Sequence, residues 1–267
     1  MAPRTPRLAQ VVSTTPITPH MVRVVLGGDG LAGFEAGAFT DHYVKLQLPP
    51  QGAGYAAPFD VEEVKAREPR EHWPRTRTYT VRAWDAERGE LTIDFVVHGD
   101  EGVAGPWAAR AQAGDAVQLN GPGGAYTPDP DADWHLLAGD PSVIPAISAA
   151  LARIPAGVPV HVLIEVDGPD DRQELTTPGD LHLTWVRPGE PVTRILEAYN
   201  FPAGRVHAFV HGEASSVRAV RRHLLVERGV PREALSASGY WKRTRTEEGW
   251  REDKAEWNRL AEADLAI

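Results

Sequence analysis

The chain has 267 residues, of which 42% are hydrophobic and 24% charged, and its formal net charge is -9. Those proportions describe a folded protein of one large or two modest domains, and the acidic balance argues against broad nucleic-acid or anionic-membrane binding. There is no cysteine, which excludes disulfides, thiolate zinc sites, cysteine-ligated iron–sulfur clusters and a cysteine nucleophile, so any redox chemistry needs a bound cofactor.

The N-terminal stretch MAPRTPRLAQVVSTTPITP leads into no apolar h-region, and no apolar run reaches membrane-spanning length. A cytoplasmic protein without membrane insertion is the expectation. From there the first half reads as β structure. Leu8 to Ser13, His20 to Leu26, Asp41 to Leu48, Arg77 to Ala83, Glu90 to Val97 and Ala116 to Asn120 are short runs rich in Val, Leu, Ile and Thr, set apart by Gly, Pro or Asp. Six such segments predict a small antiparallel Greek-key barrel. The polar stretch from Gly52 to Trp73 breaks the pattern and reads as an irregular excursion or short helix, while Glu101 to Ala113 reads as a helix closing the barrel.

From Trp134 the period changes. Strands are expected at Trp134 to Asp140, Val158 to Glu165, Leu181 to Val186 and Arg205 to Val210, with helices at Ser142 to Arg153 and Glu213 to Arg228. Alternating strands and helices predict a parallel α/β sheet. Leu235 to Gly239 reads as an edge strand or loop, and Thr246 to Ala263 as a helix with Trp250, Trp257 and Leu260 near one face. The chain is thus read as a two-domain α+β protein, divided into residues 1–128 and 129–267, the latter with a C-terminal extension over 236–267.

Arg77-Thr78-Tyr79-Thr80 carries the first chemical signal. On a strand, residues two apart share a face, so Arg77 and Tyr79 point the same way. A guanidinium can fork onto a pyrophosphate and a phenol ring can lie on a flat heterocycle, and a dinucleotide such as FAD offers both. An exposed strand with solvated charge is the alternative. Downstream, Asp94-Phe95-Val96-Val97-His98 runs into Gly99-Asp100-Glu101-Gly102-Val103-Ala104-Gly105-Pro106-Trp107-Ala108. Small residues at a helix entry let backbone N–H groups approach an anion, though such turns also start ordinary helices.

These runs, with Gly114-Asp115 and Gly121-Pro122-Gly123-Gly124, resemble the flavin domain of the siderophore-interacting protein family, in the ferredoxin–NADP reductase-like superfamily. Leu137-Ala138-Gly139-Asp140-Pro141-Ser142-Val143-Ile144-Pro145-Ala146-Ile147, His211-Gly212-Glu213 and Ser238-Gly239-Tyr240-Trp241-Lys242-Arg243 resemble its second-domain signatures, so that the likeness covers nearly the whole chain in order. The resemblance implies FAD in the barrel domain at the junction with the second. Arg77 would hold the pyrophosphate, with Thr78, Tyr79 and Thr80 along the same wall and Tyr79 and Thr80 meeting the isoalloxazine. Asp94, Val96 and His98 would border the ribityl or adenosine side, and Gly102, Ala104 and Trp107 the phosphate turn. Tyr240 and Trp241 are expected to cover the flavin.

The implied reaction is reduction of ferric iron in a siderophore complex, because hard oxygen donors hold ferrous iron far more weakly. Lys45, Lys242 and Lys254 are the expected cations for an anionic ferric siderophore. No side chain is given a separate catalytic role, and the histidines show no metal-ligand spacing. The donor stays open among NADH, NADPH and reduced ferredoxin, the last a protein partner. Gly139-Asp140-Pro141-Ser142 is not a G-x-G-x-x-G fingerprint, and Arg218, Arg221 and Arg222 are equally candidates for a 2′-phosphate and for solvated surface. A monomer is expected. A general NAD(P)H:flavin or ferredoxin-type oxidoreductase and a non-catalytic siderophore-binding flavoprotein remain the alternatives.

Overall fold

A computed structural model describes residues 6–100 and 102–265. Its contacts divide the chain into two compact units, Met1–Ala125 and Tyr126–Ile267, close to the division at 128/129 read from the sequence.

The first unit is one antiparallel sheet of seven strands: β1 (Arg7–Thr18), β2 (Met21–Gly27), β3 (Tyr43–Leu48), β4 (Arg75–Thr80), β5 (Ala83–Asp85), β6 (Glu90–Val96) and β7 (Ala116–Gly123). Their order is β4-β3-β7-β1-β2-β6-β5. β4 and β5 occupy opposite edges, yet only Val81 and Arg82 join them, so the sheet must roll up to bring its edges together. The backbone shows the closure: Val81 N donates to His42 O at 2.7 Å, just before β3, whereas Arg82 N donates to Thr92 O of β6 at 2.9 Å. β4 and β5 are two halves of the single run expected at Arg77 to Ala83. Counted as one, they restore a six-stranded barrel, and closure removes the open edges that such a sheet would otherwise present.

Alternation places Val44, Leu46, Leu91, Ile93, Phe95 and Leu119 in the barrel core. The polar excursion holds a short helix, α1 (Val61–Arg67), capped by Asp60, whose side chain accepts from Glu62 N and Glu63 N. The helix expected from Glu101 is shorter, α2 (Ala104–Arg110), and Glu101 itself lies outside the described residues.

The second unit is a parallel sheet of β8 (Trp134–Gly139), β9 (Pro159–Glu165), β10 (Asp180–Val186), β11 (Val206–Glu213) and β12 (Leu235–Trp241), ordered β10-β9-β8-β11-β12. Helices α3 (Ile144–Leu151), α4 (Val192–Ala198), α5 (Ala214–Arg222) and α6 (Glu247–Ala263) complete it. Adjacent Leu136 and Leu137 belong to different apolar clusters, so both faces of the sheet are covered, as a buried parallel sheet requires. α4 escaped the sequence pattern because it is only two turns long. The helix expected over Glu213 to Arg228 stops at Arg222 and passes into a single π turn, His223–Glu227. Trp250 and Trp257 seal α6 onto the sheet, and the Trp257 indole donates to Ala214 O at 2.9 Å. Among the described residues no helix is long and apolar enough to cross a membrane.

Two histidines of this unit are buried in neutral form. Burial, then the neighbouring His207, holds His135 down at about 4; burial, then Lys254, holds His211 down at about 3. Both ring nitrogens of His135 are without hydrogen-bond partners. Each histidine is protonated more readily unfolded than folded. Their contribution is therefore complete above about pH 6.5 and is lost as pH falls towards their folded values. Urea midpoints of the full chain should drop steadily from pH 7 to pH 4, with His135 alone accounting for roughly 3 kcal/mol across that range. His135→Leu should flatten the slope.

Candidate functional site

The first unit brings the expected cation and ring together. In the β3–β4 register Arg77 stands opposite Leu46 and Tyr79 opposite Val44, so both lie on one face of the strand. Tyr79 is half-buried against Phe95, with ring centroids 4.2 Å apart, and Phe95 meets Trp107 of α2 at 5.6 Å. A continuous aromatic run thus joins β4, β6 and α2. Thr78 is exposed, and Thr80 is buried opposite Tyr43. Lys45 pairs with Thr78. It therefore belongs to the face opposite Arg77 and Tyr79, a consequence of register invisible in the linear sequence.

From β6 the chain passes half-buried Val96 and exposed His98, whose ring lies 6.4 Å from that of His20. Gly102 has φ +78, a conformation that side chains resist, and a Cβ added there would meet nothing within 4 Å. α2 then begins at buried Ala104 without a side-chain cap. At Gly105 a Cβ would lie 3.0 Å from Val96 O, so glycine lets the helix sit close on its strand. A guanidinium and a half-buried phenol on one face of β4, the phenol joined through Phe95 to Trp107 of α2, are donor and stacking groups of the kind a flavin dinucleotide needs.

Asp94 departs from the expectation of a cofactor contact. Its side chain has 0% exposure, and both carboxylate oxygens accept from Arg23, at 2.7 Å and 2.8 Å. Arg82 approaches at 3.8 Å. Arg23 is the cross-strand partner of Asp94, and Arg82 is the kink residue between β4 and β5, so this ion-pair hub ties three parts of the barrel. The bond to Asp94 raises the Arg23 guanidinium, while burial lowers that of Arg82.

In the second unit, strand order reverses between β8 and β11, and open parallel sheets bind ligands at the carboxyl ends of strands at such a point. Here those ends carry Asp140 and Glu213. The Glu213 side chain caps α5, accepting from Ser215 N and Ser216 N at 2.8 Å and 3.0 Å. Asp140 is buried and accepts from Ser142 and from the Trp241 indole. Trp241 is 39% exposed, whereas Tyr240 is half-buried and packs edge-on against His211 at 5.0 Å.

The cations of this unit differ in employment. Lys242 is half-buried, 3.6 Å from an Asp253 carboxylate that Arg245 already holds at 2.8 Å. Lys254 donates to Gly239 O at 3.1 Å and is pushed down by burial, so it docks α6 onto β12. Arg218 pairs with Asp264, Arg221 with Glu262 and Arg222 with Glu227. Of these arginines, open in the sequence between phosphate binding and solvent, Arg218 and Arg221 fasten the C-terminal region, while Arg222 braces the turn after its own helix.

An antiparallel barrel followed by a five-stranded parallel sheet is the ferredoxin-reductase-like fold. A ferredoxin reductase of carbazole 1,9a-dioxygenase, 16% identical with a TM-score of 0.63, covers 89% of this chain with 70% of its own and shares the fold alone. Closer likeness identifies the family. Residues 10–126 match the siderophore-interacting FAD-binding domain and residues 132–244 the siderophore-interacting protein domain, and the chain belongs to the siderophore-interacting protein family. It is 38% identical to the ferric vibriobactin reductase ViuB of Vibrio cholerae, over 93% of this chain and 94% of that protein. It is 32% identical to an NADPH-dependent ferric-chelate reductase of Escherichia coli, over 84% and 88%. The crystal structure of a siderophore utilization protein from T. fusca is 37% identical and superposes with a TM-score of 0.78, over 91% and 94%. FAD is the cofactor of the matched domain.

The arginine partners of Asp94 were not legible in the sequence, since Arg23 and Arg82 meet it only through register and closure. Removing one member of a buried ion pair leaves the others uncompensated. Asp94→Leu should lower stability by about 2–3 kcal/mol, less than a fully buried network would lose, because Arg23 and Arg82 are 35% and 30% exposed. Denaturant titration measures the loss, and an unchanged midpoint would show the hub to be dispensable.

Proposed function

We propose that the protein is an FAD-dependent ferric-siderophore reductase acting in the cytoplasm as a monomer. The observation that carries this reading is the shared face of Arg77 and Tyr79 beside an uncapped, glycine-led helix start, within a chain of the siderophore-interacting family. The reading assigns Arg77 to the dinucleotide pyrophosphate and Tyr79 to the flavin ring, with Thr78 and Thr80 flanking them and Val96, His98, Gly102, Ala104 and Trp107 bordering the turn. Tyr240 and Trp241 add aromatic surface in the second unit, and Lys242 draws an anionic chelate.

Bound FAD accepts electrons in pairs and passes them on singly, and one electron per ferric centre suffices to loosen a hard-oxygen chelate. Relatives named as ferric vibriobactin reductase and NADPH-dependent ferric-chelate reductase support this chemistry. They leave NADH, NADPH and reduced ferredoxin as donors to be compared directly.

Lys242 is preferred over Lys254 and Lys45 because its ammonium is only loosely held, at 3.6 Å from Asp253, whereas Lys254 is engaged internally and Lys45 lies on the opposite face of its strand. Two outcomes follow. Arg77→Ala should fold and lose most of its FAD, with affinity falling about tenfold or more, read as the flavin-to-protein absorbance ratio. Full occupancy would remove Arg77 from the site. Lys242→Ala should raise the KM for a ferric siderophore about three- to tenfold, while turnover of a small neutral acceptor stays within about twofold. Equal effects on both acceptors would favour a general flavin reductase.

A further inference from the structure

Asp140 follows β8 at the point where strand order reverses, and it takes no direct part in the reaction proposed above. Its carboxylate is buried and accepts four hydrogen bonds. Oδ1 takes Ser142 N at 2.9 Å and Ser142 Oγ at 2.6 Å; Oδ2 takes Glu213 N at 2.7 Å and the Trp241 indole Nε1 at 2.9 Å. Burial pushes the carboxyl above its usual range, and bonds from Ser142, Trp241 and Glu213 oppose that.

The Ser142 bonds are local, and the bond from Glu213 N ties the start of α5. The bond from Trp241 spans 101 positions of sequence and is of another kind. Trp241 is exposed at 39%, so apolar packing does little to fix its ring. A hydrogen bond from its polar edge to a buried carboxyl oxygen that other donors already fix does so directionally. Room for the carboxylate is built in. Gly212 has φ +123, and a Cβ there would lie 2.3 Å from Asp140 Oδ2. The residue that follows the pinned indole is Lys242.

We propose that Asp140 is a positioning residue for ferric-chelate reduction: through the Trp241 indole it holds exposed Trp241 and half-buried Lys242 in the orientation that receives the chelate. This rests on the reading under Proposed function. The acid contributes no proton or electron to the reaction. It fixes an aromatic surface and the cation next to it, and its removal affects recognition of the chelate more than electron transfer.

The test uses the flavin-loaded full chain. Trp241→Phe removes the indole N–H and keeps an aromatic ring, Asp140→Asn replaces one carboxyl oxygen by an amide nitrogen at nearly constant size, and the double variant closes the cycle. Each protein is reduced anaerobically with dithionite and mixed with a ferric catecholate and, separately, a ferric hydroxamate siderophore. Each single variant should raise the half-saturating chelate concentration about five- to tenfold, with the limiting rate within about twofold. The double variant should be no worse than either single.

Trp241 emission, taken as wild type minus Trp241→Phe, should lie to the blue of the same difference taken in the Asp140→Asn background. Unchanged half-saturation in Trp241→Phe, multiplicative effects, or coincident emission differences would overturn the proposal. Should Asp140→Asn be insoluble, Trp241→Phe alone decides. Wild-type flavin that the chelates fail to reoxidise would instead sink the proposed function, and the emission comparison would then report separately whether Asp140 holds Trp241.

Discussion

Two residues, Val81 and Arg82, have to connect opposite edges of a seven-stranded sheet, and the arrangement of the first unit follows from that constraint. Consecutive backbone N–H groups bond in opposite directions, one towards β3 and one to β6, which closes the barrel. The same step delivers the Arg82 guanidinium to Asp94, where Arg23 already waits across the strand pair. Arg77 and Tyr79 lie just before the kink, so closure and the proposed cofactor wall are built from one short run. An error in that run would damage folding and binding together.

The second unit solves a different problem. Helices that start at the carboxyl ends of parallel strands leave backbone N–H groups unsatisfied at the place where a ligand is expected. This chain supplies carboxylates there itself: Glu213 caps α5 and Asp140 caps the turn leading into α3. The sheet is closed on both faces by apolar clusters and fastened by α6, whose tryptophans join one cluster and whose C-terminal carboxylates Glu262 and Asp264 engage Arg221 and Arg218.

Much of this was legible in the sequence. Period-two runs located the β-rich half, alternation of strands and helices located the parallel sheet, and the Arg77-to-Thr80 run pointed at a dinucleotide. Features set by long-range geometry were not legible. The face of Lys45 depends on a strand register, the Asp94 hub on barrel closure, and the engagement of Lys254 with Gly239 O on how α6 docks. α4 is too short for its apolar period to stand out, and β5 is three residues long. Asp140 was visible as part of a motif, but the indole that binds it lies 101 residues further on.

Under the proposed function, this flavoprotein passes electrons to iron held by a siderophore. Anaerobic stopped-flow absorbance on the prereduced protein tests it most directly, with a ferrous chelator present to trap released metal. Flavin absorbance should return at a rate that rises and then saturates with ferric siderophore, with one ferrous ion trapped per electron lost. Flavin that stays reduced against saturating ferric siderophore, while still reoxidising with a small neutral acceptor, would contradict it.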